Sequence, residues 1–252
     1  MSWLEAGAGW PVVLLHAFPL SARMWRPQLE RVPDDWRIIA PELGSLVGTA
    51  PQERTVDDYA SDVGALLDAL QVDSAAIGGL SMGGYVAFAM FRQAPARFAR
   101  MILADTRPQA DTPQGKEGRL RLRQALARGG PSAVADEMVP KLLASRTLNN
   151  HPEVVAEVRG IAEAIPSSQI DAAILAMMNR PDSTPLLPRI SCATLVLVGE
   201  EDAVTPVAEA QTMQRAIGRS VLVTLAGAGH LSNLETPDAF STALADFLLA
   251  PL

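Results

Sequence analysis

Three side chains in this chain have the types and surroundings for acyl transfer. Ser81 lies in Gly79-Leu80-Ser81-Met82-Gly83, between a short apolar segment, Ala75-Ala76-Ile77-Gly78, and an apolar-periodic one, Tyr85 to Ala94. A serine at the turn between a strand and a helix reads as a nucleophile elbow. Such a turn strains the serine backbone, and small neighbours let strand and helix pass closely. The hydroxyl then stands at a helix N-terminus, whose free N–H groups favour a developing oxyanion. A serine hydroxyl is a weak nucleophile at neutral pH and needs a base beside it. The histidines are His16, His151 and His230. His230 follows the last strand-like run in Gly227-Ala228-Gly229-His230-Leu231, where glycines suit a turn that carries an imidazole back over the strand ends. It is the expected base. His151, before Pro152, reads as a solvated helix-start residue, and His16 as a structural histidine bracing loops.

The base needs a carboxylate to fix its tautomer and stabilise the imidazolium. Asp202, in Gly199-Glu200-Glu201-Asp202 after the run Ala193 to Val198, is the choice. Asp105 is the rival, since it also follows a strand directly; Glu200 and Glu201 read as solvated loop charges. The tetrahedral intermediate needs two N–H donors. One is the backbone of Met82. The other comes from the loop His16-Ala17-Phe18-Pro19, where Pro19 cannot donate; of Ala17 and Phe18, Phe18 is chosen. Phe18, Trp25, Met82 and Met177 are the expected lining of an apolar substrate pocket.

These residues must be held by strands and helices in alternation. Continuous apolar runs predict strands at 12–15, 37–40, 75–78, 101–104, 193–198 and 221–225. Helical spacing predicts helices near 24–31, 56–70, 81–94, 206–217 and 237–249. Thr205-Pro206 and Thr236-Pro237 read as N-caps followed by proline at the first helical position. The alternation implies an α/β fold, a mostly parallel sheet with helices on both faces and ligands at the carboxyl ends of its strands. From 113 to 180 no strand pattern occurs; helical patterns cover 120–128, 132–143, 153–165 and 168–179. This reads as a helical cap (113–180) inserted between two strands of a core made of 1–112 and 181–252, a lid over the elbow.

The 252 residues, 48% hydrophobic, suffice for one such domain. A net charge of -7 and 5% aromatic residues argue against nucleic acid and anionic membranes as partners. A lone cysteine, Cys192, allows no internal disulfide and reads as a small buried hydrophobe. Neither a signal-peptide pattern nor a bilayer-spanning apolar run is visible, so the expectation is a cytoplasmic protein acting on a small molecule, as monomer or homodimer. No histidine pair or Cys/His cluster has metal-ligand spacing, and the glycines at 78–84 lack P-loop and dinucleotide patterns. No metal and no cofactor are expected.

Four blocks together carry a resemblance: Leu14-Leu15-His16-Ala17-Phe18-Pro19 with Met24-Trp25, Gly79 to Gly84, Gly199 to Asp202 with Thr205-Pro206, and Gly229-His230. In this order, and over nearly the whole chain, they resemble α/β-hydrolases of the group containing 3-oxoadipate enol-lactonases, small carboxylesterases and cofactor-free haloperoxidases. The resemblance implies the α/β-hydrolase fold, a helical cap and the triad order Ser81, Asp202, His230. It also implies that the residue after His-Gly, here Phe18, supplies the second oxyanion N–H. Two departures stand out: His16-Ala17 replaces His-Gly, and Pro41-Glu42-Leu43-Gly44 lacks the usual Asp and Arg, so a rearranged loop is expected over 41–50. The implied function is hydrolysis of carboxylic esters or lactones through an acyl-enzyme on Ser81. Alternatives are an enol-lactonase of a small acidic substrate, which would want a basic lid residue such as Arg107, Arg119, Arg121 or Arg123, a perhydrolase, and a hydrolase-like binding protein without turnover.

Overall fold

The computed structural model describes residues 1–44 and 54–250. Its sheet has the strands β1 (Trp3–Gly7), β2 (Trp10–Leu15), β3 (Trp36–Pro41), β4 (Ala75–Leu80), β5 (Phe98–Ala104), β6 (Ala193–Gly199) and β7 (Ser220–Leu225). They lie in the order β1-β3-β2-β4-β5-β6-β7; β1 pairs antiparallel with β3 and every other pairing is parallel. The six expected strands are present. β1 was not anticipated, because its exposed residues carry no apolar alternation.

The helices are α1 (Arg26–Leu29), α2 (Val56–Ala69), α3 (Met82–Gln93), α4 (Pro113–Leu142), α5 (Ser145–Asn150), α6 (Pro152–Glu163), α7 (Ser167–Met178), α8 (Val207–Ala216), α9 (Ser232–Glu235) and α10 (Pro237–Leu249). α4 is broken at Gly130 (φ 67°, ψ -160°), which accounts for two separate helical patterns there. Helices α4 to α7 fall between β5 and β6, as the strandless stretch required. The segment 22–29 is a 3-10 turn plus a single α turn rather than one helix.

Period-2 alternation divides the core between the two faces of the sheet. Val13, Leu15 and Ile39 face a cluster with α2 and α3, whereas Val12, Leu14 and Ile38 face Trp25 and the Phe240 side of α10. Helix α3 is buried from Met82 to Phe91, which requires the small residues of the elbow. A Cβ on Gly83 would lie 2.1 Å from the Leu15 carbonyl oxygen, and one on Gly79 2.5 Å from the same atom. The glycines therefore let the elbow sit directly against β2.

The two Thr-Pro helix starts differ from expectation. Neither threonine caps its helix through the side chain. Thr236 Oγ1 donates to the Ser232 carbonyl, and Thr205 Oγ1 donates to Asp202. The loop expected to be rearranged over 41–50 lies outside the described residues from 45 onward.

Candidate active site

Ser81 stands between β4 and α3 with φ 55° and ψ -111°, a conformation unfavourable for a residue with a Cβ. Its backbone is held on both sides. Its N–H donates to the Ala104 carbonyl at 3.0 Å, and its carbonyl accepts the Gly84 and Tyr85 N–H groups and Thr106 Oγ1.

His230 follows β7, three strands from β4, yet its loop returns across the sheet. Ser232 Oγ donates to Asp105 at the end of β5. Asn233 Nδ2 donates to the Met24 carbonyl at 2.8 Å, and Gln28 Nε2 donates to the Asn233 carbonyl at 3.1 Å, both partners lying beyond the end of β2. A loop anchored beyond β5 on one side and β2 on the other crosses the carboxyl end of β4, where Ser81 is.

His230 Nδ1 lies 2.8 Å from Asp202 Oδ2. A carboxylate can only accept, so Nδ1 carries the proton and Nε2 is a lone pair. Asp202 is itself fully tied: Val204 and Thr205 N–H donate to Oδ1, and Thr205 Oγ1 to Oδ2 at 2.6 Å. Burial pushes the Asp202 carboxyl up, but the hydrogen bonds from His230 and Thr205 outweigh this and hold it below the usual range. Thr205 is thus a supporting residue of the site that the Thr-Pro pattern had disguised as a helix cap. Asp105 does not reach His230. Its carboxylate accepts Gly199 N–H at 2.7 Å as well as Ser232 Oγ. Burial first, then the charge of Asp202, pushes its pKa well up.

The second histidine of this end of the sheet makes an instructive contrast. His16 is 3% exposed. Its Nδ1 donates to the Ala17 carbonyl at 3.0 Å, and its Nε2 accepts Leu43 N–H at 3.0 Å. Both His16 and His230 are therefore Nδ1–H tautomers. In His16 the Nε2 lone pair is filled by a backbone donor; in His230 it takes no partner among the described residues. His16 thus has both ring nitrogens engaged, whereas His230 keeps one open. Burial lowers the His16 pKa, against the raising effects of Glu42 and Ala17. His151 is exposed beside Glu153.

The two oxyanion candidates are placed alike. Ala17 N–H donates to Met24 Sδ at 3.1 Å, which leaves Phe18 as the donor of that loop. Neither Phe18 N–H nor Met82 N–H has a partner among the described residues. A cavity beside both is lined by Phe18, Leu20, Glu42, Tyr59, Met82 and, from the helical insertion, Ile165, Gln169, Ile170 and Ala173. Trp25 and Met177, expected in the pocket lining, do not line this cavity. Trp25 is fully buried against Phe240, with ring centroids 5.8 Å apart, and Met177 is packed in the core inside α7. The arginines considered for an acidic substrate are also engaged elsewhere. Arg107 and Arg119 meet Asp111, Arg121 meets Glu117, and Arg123 makes two bonds to Asp171. Cys192 is partly buried. Among the described residues, no cluster of three or more His, Cys, Asp or Glu could hold a metal ion, and no helix is long and apolar enough to cross a membrane.

Comparison with known proteins agrees with this geometry. Residues 12–243 match the alpha/beta hydrolase family. The chain is 30% identical to 3-oxoadipate enol-lactonase 2 of Acinetobacter baylyi, over 92% of this chain and 86% of that protein. Among solved structures, a thermophilic esterase from Thermogutta terrifontis in a malate-bound form is 41% identical with a TM-score of 0.94, covering 98% of this chain and 92% of that one. The enol-lactonase from Burkholderia xenovorans is 25% identical with a TM-score of 0.89, covering 99% and 96%.

Proposed function

Because this chain belongs to the α/β-hydrolase family, we propose that it hydrolyses carboxylic esters or lactones through an acyl-enzyme on Ser81. The observation that carries this reading is the free Nε2 lone pair of His230, on an imidazole whose Nδ1–H is fixed by Asp202. Ser81 Oγ attacks the acyl carbonyl carbon and its proton passes to Nε2. The oxyanion is received by the N–H groups of Phe18 and Met82, the latter at the positive end of α3. His230 returns the proton to the departing alkoxide. Water then attacks the acyl-enzyme, giving its proton to Nε2, and the carboxylic acid leaves with Ser81 restored. No cofactor enters the scheme, the partner is a small-molecule substrate in the cytoplasm, and the helical insertion acts as the cap that walls the acyl pocket.

A second reading, hydrolysis of an acidic lactone, is favoured by the enol-lactonase relatives. The charged side chain lining the cavity is Glu42, an acid, which supports uncharged acyl groups instead. The test is hydrolysis of p-nitrophenyl butyrate and of the matching hemisuccinate by the parent and by Ser81→Ala. The parent is expected to prefer the butyrate. Ser81→Ala is expected to lose at least about 10³-fold in kcat. Hydrolysis by the variant at the parent rate sinks the acyl-enzyme, and preference for the hemisuccinate restores the acidic substrate.

A further inference from the structure

One carboxylate ties the histidine loop to the helical insertion. Glu235 Oε1 accepts Gly229 N–H at 2.8 Å, while Oε2 accepts Ala144 N–H at 2.7 Å and Thr147 Oγ1 at 2.6 Å. Two residues from Gly229, Leu231 N–H donates to the Leu142 carbonyl at 3.1 Å. The residues on either side of His230 are thus fastened to one segment of the insertion, 142–147. The approach leaves no slack, since a Cβ on Gly229 would lie 2.5 Å from Ala144 N. No step of the proposed chemistry uses this carboxylate.

We propose that Glu235 is a positioning residue for His230: its ionised carboxylate sets the spacing between the histidine loop and the 142–147 segment, and so the aim of Nε2 at Ser81. The proposal rests on the triad reading above. Charge matters because three donors converge on two oxygens. A carboxylate has lone pairs for all of them, whereas an amide or a neutral acid turns a hydrogen towards one. Burial raises the Glu235 pKa, opposed by its hydrogen bonds from Thr147, Ala144 and Gly229. Asp105 from the end of β5 feels its charge, and His230 lies next to its partner Gly229 in the same loop; Glu200 accepts Gly227 N–H and Arg146 of the insertion lies beside Gly227, two residues before Gly229.

The test measures kcat and KM on p-nitrophenyl butyrate from about pH 5 to about pH 9 for the parent, Glu235→Gln and Thr147→Val, with folding followed by circular dichroism. Glu235→Gln is expected to lower kcat by about 10- to 100-fold while KM moves by less than about threefold, the pattern of a misaimed catalytic group. Glu235 acts as the carboxylate and burial raises its pKa, so its protonation should contribute to the acid-side fall of the parent kcat, and that contribution should be absent in Glu235→Gln. Thr147→Val removes a hydrogen bond to the charged form and should move the parent's acid limb to higher pH. A purely structural contact would alter neither slope nor position. Parent-like kcat in folded Glu235→Gln, or an unmoved limb in Thr147→Val, overturns the proposal; if Glu235→Gln does not fold, the Thr147→Val limb decides. Ser81→Ala, run alongside, keeps the two readings apart. Activity surviving there removes the triad, whereas an inert Ser81→Ala with a parent-like Glu235→Gln removes only the role of Glu235.

Discussion

At the scale of residues, function depends on which lone pairs are left open. Asp202 and Asp105 both follow strands at the site, but Asp202 alone of the two meets His230. Asp202→Asn is expected to cost about 10³- to 10⁴-fold in kcat through the wrong imidazole tautomer. Asp105→Asn should cost far less, and a larger loss at Asp105 in the same kinetic comparison would reverse the assignment. His16 yields a stability signature. Its folded pKa is depressed by burial, so below the unfolded value of about 6.5 the unfolded chain binds more protons and stability falls as pH falls. Calorimetry should show the Tm of the parent dropping from about pH 7 to about pH 5, with the slope diminished in His16→Asn. An unchanged slope in that variant would place the titration elsewhere. Much at this scale was legible in the order of Ser81, Asp202 and His230, since elbow, strand ends and glycine turn are each local patterns. The donors and acceptors that complete them were not. Met24 Sδ on Ala17 N–H and Thr205 on Asp202 are products of folding. Trp25 packs against Phe240 in the core and not on the cavity beside Phe18 and Met82, since an apolar side chain has the same sequence signature in a core and in a pocket.

At the scale of elements, two glycines make opposite forecasts. Gly83 lies in the first turn of α3 against β2 with no room for a methyl group, whereas a Cβ on Gly64, inside α2, meets nothing within 4 Å. Gly64→Ala should therefore stabilise the protein by about 0.5–1 kcal/mol through helix propensity. Gly83→Ala should destabilise it by more than about 2 kcal/mol, by forced movement of packed backbone. Urea unfolding of the pair measures both, and equal signs would refute the close-packing account. Strands such as β2 and β6 were readable because both faces are buried and the apolar run is continuous. β1 was not, being an edge strand with Trp3 and Leu4 exposed, and its pairing with β3 is tertiary information. The turns α5 and α9 are too short to establish a helical period.

At the scale of the molecule, the two chain crossings into the helical insertion are pinned together. Arg180 Nη1 donates to Asp111 Oδ1 at 2.8 Å, Nη2 donates to the Gln109 carbonyl at 2.8 Å, and the guanidinium lies 4.0 Å from the Tyr85 ring of α3. Arg180 and Asp111 are both buried, so removing one partner strands the other. Asp111→Ala should cost about 3–5 kcal/mol in urea unfolding, far above a surface ion pair. A loss below about 1 kcal/mol would show that the pin carries little. The anchoring of the His230 loop has a consequence in time as well. Asn233 is fastened to Met24 across 209 positions, so the His230 loop closes over the elbow only once these two segments have met. A chain in which they have not met holds the elbow without His230 over it. Assembly of the candidate site is thus tied to one long-range contact, and hydrolysis by a refolding chain would mark the moment at which that contact forms.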